Sequence, residues 1–435
     1  MSIVSSSNYL ESLLQGQPHL PPSPLAWFNR LRATAVERAG VLKLPTTRDE
    51  EWRFTDISPL GKLSFQPARA ASSAADGDIE RFFLEEAAVR LVFIDGIYAP
   101  KFSSWDGGEH LIVTHLSNAV SVHAKTMEAH LGRHADFQDN LFAALNTAFL
   151  HDGAVVIVPR NASVEMPVHI LFIATQPVSA SHPRCLVVAE PGSEATVVEE
   201  YVSVQEGAYV TNAVTEIAVG AGAGVHHIRI QHESTEAFHI GSCAISLAHS
   251  SRYRSVSVAI GARISRYDVN TLLGAEGAEC AVDGLALLSG RQLADTHSCI
   301  DHAQPDGTSR QLHKCIADGA GHAVFNGKII VRPGAQRTDS AQSSRNLLLN
   351  ARARIDTKPQ LEIFADDVKC AHGATVGQID HEELFYLKSR GLSGTMARNL
   401  LTYAFGAEII DRIPVPSLKH RLERTVLEQT QKAEP

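Results

Sequence analysis

No CxxC pair occurs in this chain, and its six cysteines are spread thinly between Cys185 and Cys370. That sparseness excludes a disulfide scaffold and favours free thiols in a reducing compartment, so a cytoplasmic location is expected. No apolar run approaches the roughly 18 residues of a membrane helix, and Met1 to Leu10 lacks the basic-then-apolar order of a signal peptide. A basic excess is missing as well. The formal net charge is −9, which argues against a general nucleic-acid binder. What is present is an ordinary globular composition, 44% apolar and 20% charged over 435 residues, long enough for two or three domains. Histidine stands out at 21 residues, each able to bind metal or titrate near neutral pH.

The spacing predicts three regions. Residues 1–152 read as a helical or mixed region. Ser23-Pro24 resembles a helix start, and Leu25, Phe28, Leu31 and Ala35 recur at helical spacing. Gln66 to Asp78 is small and polar and reads as a linker. Val89 to Tyr98 reads as a hairpin turning at Asp95-Gly96, and residues 117–150 return to helix.

From residue 153 to 379 short β-rich runs follow one another without helices, among them Val168–Ala174, Thr196–Val202, Val225–Ile230 and Ser255–Ile260. A conventional parallel sheet needs long crossovers. Hairpin signals are rare, and no propeller period is found. A parallel β-solenoid remains, with about nine or ten coils of ~22–25 residues, roughly 45 Å long. Residues 380–435 are helical again, opened by the Asp380-x-x-Glu383 capping spacing and carrying Leu401, Phe405, Ile409 and then Leu418, Leu422, Val426. These helices are expected to cap the solenoid's open end and to offer a docking face for a partner.

Several motifs fall short of a chemistry. Gly321 to Ile329 has five residues where a phosphate loop needs four between its glycines, and Ile329 where Mg²⁺ needs a hydroxyl. Gly220-Ala-Gly222-Ala-Gly224 reads as a turn. Asp366-Asp367 reads as a solvated turn, because strand neighbours point to opposite faces and a glycosidase needs two carboxylates on one cleft. His226-His227 likewise decorate opposite faces. Cys299-x-x-His302 with His313-x-Cys315 offers four N/S ligands, yet the spacing departs from standard zinc arms, and buried thiols often serve as small hydrophobes. Cys370-Ala371-His372 places thiol and imidazole on one strand face about 7 Å apart, suited to iron or zinc. By spacing alone a structural role is favoured, because two ligands make an incomplete site.

At these residues the chain resembles a known family. Asp366-Asp-Val-Lys-Cys-Ala-His-Gly-Ala-Thr-Val-Gly377 with Leu384-Phe-Tyr-Leu-Lys-Ser-Arg-Gly391 is similar to the SufB/SufD family of iron–sulfur cluster assembly proteins. The resemblance extends through Phe325-Asn-Gly-Lys-Ile329, Gln342 to Leu349, Lys358 to Ile363 and Ala397 to Leu401, while Glu50-Glu-Trp-Arg-Phe-Thr-Asp56 and the length resemble the SufD subunit. The resemblance implies a mainly β fold, a right-handed parallel β-helix flanked by helical N- and C-terminal regions. It implies pairing with SufB through the β-helices and binding of the SufC ABC-type ATPase through the C-terminal helices, so that ATP acts only through that partner. It implies a non-catalytic subunit, with His372 and Cys370 as candidate ligands for iron or a transient iron–sulfur cluster shared with SufB. Ala371 stands where several relatives have serine. A SufB-type subunit, or a β-helix carbohydrate enzyme, is the alternative reading.

Overall fold

The computed structural model describes residues 8–16, 22–68, 76–87, 89–105 and 111–432. Its central region is built from ten-residue strands joined by short turns, such as Glu194–Ser203, Val210–Val219, Gly224–Glu233 and Phe238–Leu247. Consecutive strands do not share a sheet. Each pairs in parallel with the strand one coil on, so two sheets face each other across a solenoid of about 8 turns. Glu194, Gly224, Arg252, Glu279, Thr308, Asp339 and Lys369 stack in register in one sheet, a repeat of 27 to 31 residues. The repeat is longer than the sequence suggests, and the coils correspondingly fewer, because each coil holds two full strands and two turns.

Three apolar layers hold the solenoid. Val187, Ile217, Val197, Val225 and Val269 fill the space between the sheets. Outside the first sheet, Val210, Val214, Phe238 and Ile240 pack against the helices Ala26–Val41 and Leu141–Ala148 through Ala35, Ala39, Phe142 and Leu145. Outside the second, Val198, Ile228, Val256, Leu285 and Ile316 pack against Ile409, Ile410, Leu418, Leu422 and Val426. With both faces covered, strand Val210–Val219 is buried at all ten positions. That burial removes the in–out alternation that would have revealed the coils.

The two ends differ. At the N-terminal end, Val89–Ile94 adds to the second sheet and turns at Asp95 and Gly96, with φ of 52° and 84°, into Ile97–Tyr98, the expected hairpin. Ile112–His115 closes the first sheet in antiparallel fashion against Ala154–Val158. At the other end, Arg354–Ile363 and Lys369–Gln378 each have a strand neighbour on one side only among the described residues. The C-terminal helices do not cap this end. Gly394–Ile410 and Pro416–Lys432 lie along the second sheet instead, because that face offers their apolar stripe a much larger apolar surface than the polar, exposed strand Lys369–Gln378 does.

Other sequence readings fare variously. Residues 117–150 hold three short helices, the last capped by Asn140, whose Oδ1 accepts from the backbone N–H of Phe142 and Ala143 at 3.0 and 3.1 Å. Within the expected linker, Gln66-Pro67 pairs with Ser179-Ala180, Asp76–Glu80 is helical, and residues 69–75 lie outside the described residues. No described helix is long and apolar enough to cross a membrane.

Candidate functional site

The strand Lys369–Gln378 sits in register on Asp339–Leu348, with Cys370 opposite Ser340 and His372 opposite Gln342. Ser340 and Gln342 are buried between the sheets, so Cys370 and His372 share the inward face, as their spacing predicts. Cys370 packs against the cluster of Ile329, Val331 and Leu361 and is half-buried. His372 is exposed, because among the described residues no further coil lies over it. Burial, and then the neighbouring Asp339 charge, push the Cys370 thiol up from its ordinary value, so it is protonated at neutral pH until a cation displaces the proton.

Beneath each of these two side chains runs a file of polar groups. Under Cys370, Ser340 Oγ lies 2.7 Å from Ser309 Oγ, which lies 2.9 Å from His302 Nε2. Under His372, Gln342 Nε2 donates to Gln311 Oε1 at 2.7 Å, and Ser298 Oγ donates to the same oxygen at 3.1 Å. Gln342 Oε1 is buried with no hydrogen-bond partner. Gly327 explains one position of the Phe325-Asn-Gly-Lys motif: a Cβ there would sit 2.2 Å from Gln342 Nε2. The only sequence signal for these files is polar residues at every second position of Ser340-Ala-Gln342-Ser-Ser344.

Cys299, His302, His313 and Cys315 are not brought to one point. Cys299 lies on the outer face of the first sheet, where it lines a cavity of about 400 Å³, whereas the fully buried His302 is in the interior. His313 and Cys315 share the interior face of the second sheet, Nδ1 to Sγ 3.5 Å, and His313 stacks on Phe325 with ring centroids 4.3 Å apart. Burial lowers His313 to about 3 and raises Cys315 to about 12, so both are neutral packing groups. Among the described residues no group of three or more His, Cys, Asp or Glu could hold a metal ion. Any metal at Cys370 and His372 therefore needs further ligands from outside the described chain. Asp366 and Asp367 are in an exposed bend, and Gly321 to Ile329 runs into the strand His322–Val331 rather than a phosphate cradle. His226 and His227 do face opposite ways, the latter buried and bonded to Glu199 at 3.0 Å.

The segment Glu50 to Asp56 is held on the first sheet. Thr55 Oγ1 donates to Asp295 at 2.6 Å, Arg266 donates to the carbonyl of Glu51 at 2.6 Å and lies over the Trp52 ring, and His297 meets Glu51 at 3.1 Å. Burial opposes charge on His297, but Asp295 and Glu51 outweigh it and raise its pKa to about 9. This motif thus anchors the N-terminal region to the solenoid.

A second exposed feature lies on the C-terminal helices. Asp380 caps His381–Ser389 by accepting from the Glu382 N–H at 2.7 Å. That helix buries none of its residues, and Phe385 is 73% exposed beside exposed Tyr386, Met396 and Leu400. Tyr386, Leu387, Leu400, Leu401 and Ala404 line an apolar groove there.

Two family models match this chain. Residues 171–405 match the family model described as SUF system FeS cluster assembly, SufBD core domain, and residues 4–170 match that of the SufBD protein N-terminal region. The chain is 41% identical over 408 residues to an iron–sulfur cluster assembly SufBD family protein of Synechocystis, covering 91% of this chain and 89% of that one. It is 33% identical over 383 residues to the iron–sulfur cluster assembly protein SufD of Escherichia coli, covering 87% and 88%. With SufD of Bacillus subtilis it shares 26% identity over 427 residues, 95% of each chain.

Proposed function

Because this chain belongs to the SufBD family of iron–sulfur cluster assembly proteins, we propose that it works as a SufD-type scaffold subunit whose open solenoid end pairs with a SufB-like partner. The observation that carries the reading is that end itself. Two ten-residue strands present unpaired edges, with Ile363, Phe364 and Val376 exposed beside them and Cys370 and His372 on the inward face. Exposed edges of this length pair with other chains. A second solenoid stacked there would cover His372 and bring the ligands the pair lacks.

In this reading iron or a nascent cluster is cargo. Neutral imidazole and thiolate both suit iron, and two ligands from this side hold it weakly enough to pass on. The groove around Tyr386 and Leu400 would take an apolar face of a SufC-like ABC ATPase, through which alone ATP acts. The groove helix His381–Ser389 follows directly on the end strand Lys369–Gln378, so ATPase movement could reach the solenoid end along the chain. Scarce, unpaired thiols fit a cytoplasmic setting. By itself the subunit is non-catalytic, and the isolated chain is expected to hydrolyse no ATP.

The test is co-expression with the SufB- and SufC-like partners, comparing wild type with His372→Ala at equal complex yield. The variant is expected to assemble but to lose iron and sulfide, with Cys370→Ala milder. Wild-type cluster content in His372→Ala complexes would remove His372 from the site.

A further inference from the structure

We propose that Gln342 is the positioning residue for His372: its side-chain carbonyl accepts one ring N–H of the imidazole once the solenoid end is covered, and so turns the other ring nitrogen outward to the cargo. The inference rests on the ligand role proposed for His372 and adds a residue to it. Four observations carry it. Gln342 is 3% exposed and directly opposite His372 on the neighbouring strand, both on the inward face. Its amide is clamped, since Nε2 donates to Gln311 Oε1, which Ser298 also engages. The space it occupies is cleared by Gly327. Its Oε1 is left without a partner, a buried acceptor whose desolvation is uncompensated in the isolated chain.

Stacked side chains on adjacent parallel strands are about 4.8 Å apart at the backbone. Of the groups in the coil beyond, the one opposite Gln342 is the imidazole. A neutral imidazole has one N–H and one lone pair, and a carbonyl that holds the N–H decides which nitrogen ligates. Gln342 touches no cargo; it acts through His372.

The experiment uses the assembled complex and reads iron and sulfide per complex at equal complex yield. Gln342→Leu removes the acceptor and is expected to lower cluster content severalfold, as when an outer partner of a ligand costs about tenfold or more in affinity. Gln342→Glu keeps an acceptor oxygen at nearly the same size, so it should restore cluster content. If the Leu variant fails to assemble, the Glu variant decides alone: wild-type content supports the bond, and a severalfold loss overturns it. His372→Ala separates the two ideas. Loss of cluster there, with full content in Gln342→Leu, overturns the positioning role only. Full cluster content in His372→Ala overturns the ligand role, and the positioning role with it.

Discussion

Replacing Arg421 by alanine would strand a carboxylate inside the protein. Glu200, 1% exposed on the outer face of the second sheet, bonds Arg421 of the last helix through one oxygen and His169 Nε2 at 2.9 Å through the other. Burial raises the Glu200 pKa, but the Arg421 charge and the His169 hydrogen bond outweigh it and leave the net value below the ordinary range. Burial lowers His169, so at neutral pH Arg421 supplies the full positive charge. Removing one partner of a buried pair costs about 3–5 kcal/mol, and the low end applies because the Arg421 side chain keeps 22% of its surface in water. For a chain of this length, 3 kcal/mol corresponds to about 3 °C in Tm, readable by circular dichroism. The pH dependence carries the sharper test. In the parent protein the folded-state pKa of Glu200 is depressed, so its stabilisation is present above the unfolded carboxylate pKa and is lost as pH falls through the lower, folded value. In Arg421→Ala only the His169 bond still opposes burial, so the folded pKa of Glu200 rises. The deficit of the variant should then be full near pH 8 and shrink towards about pH 5. Glu200→Gln added to Arg421→Ala should recover most of the loss. A deficit independent of pH, or a double variant as unstable as the single one, would refute the reasoning.

Deleting residues 381–435 should give an insoluble or unfolded chain by solubility and circular dichroism, since it bares Val198, Ile228, Val256 and Leu285 on the second sheet; a soluble, folded remainder would contradict the packing. Tyr386→Asp with Leu400→Asp, both lining the exposed groove, should abolish capture of the ATPase while shifting stability by no more than about 1 kcal/mol; retained capture would move the docking site elsewhere. A thiol reagent on the native chain should modify Cys370 first and Cys299 more slowly, the latter raised to about 11, chiefly by burial. Cys185, Cys243, Cys280 and Cys315 are buried with raised pKa values and should react only on unfolding, as peptide mass mapping would show. Gly327→Ala should cost about 1–3 kcal/mol, because the clamped Gln342 amide must move; unchanged thermal unfolding would mean that the interior is looser than described.

The family, the mainly β solenoid and the shared face of Cys370 and His372 were all legible in the residues. Motif order and strand geometry are local properties, and residues two apart in Lys369–Gln378 point to the same face whatever covers them. The coil length was not legible. In Val210–Val219 both faces are buried, and its polar residues Thr211, Asn212, Thr215 and Glu216 fall on both of them, so they do not mark which face is in. The terminal helices were recognised by their four-residue steps, but their resting place was not, because an apolar stripe declares that it must be buried and not against what.

The sequence by itself thus determined which elements form and that Cys370 and His372 share a strand face, since periodicity and motif spacing depend on residues a few positions apart. Only the tertiary structure decided that the solenoid end stays open, because that depends on the second sheet outbidding it for Ile409, Leu418 and Leu422. It alone placed Gln311, Gln342 and Gly327 together, since residues 31 and 15 positions apart meet only where successive coils stack in register and the facing sheet closes over them.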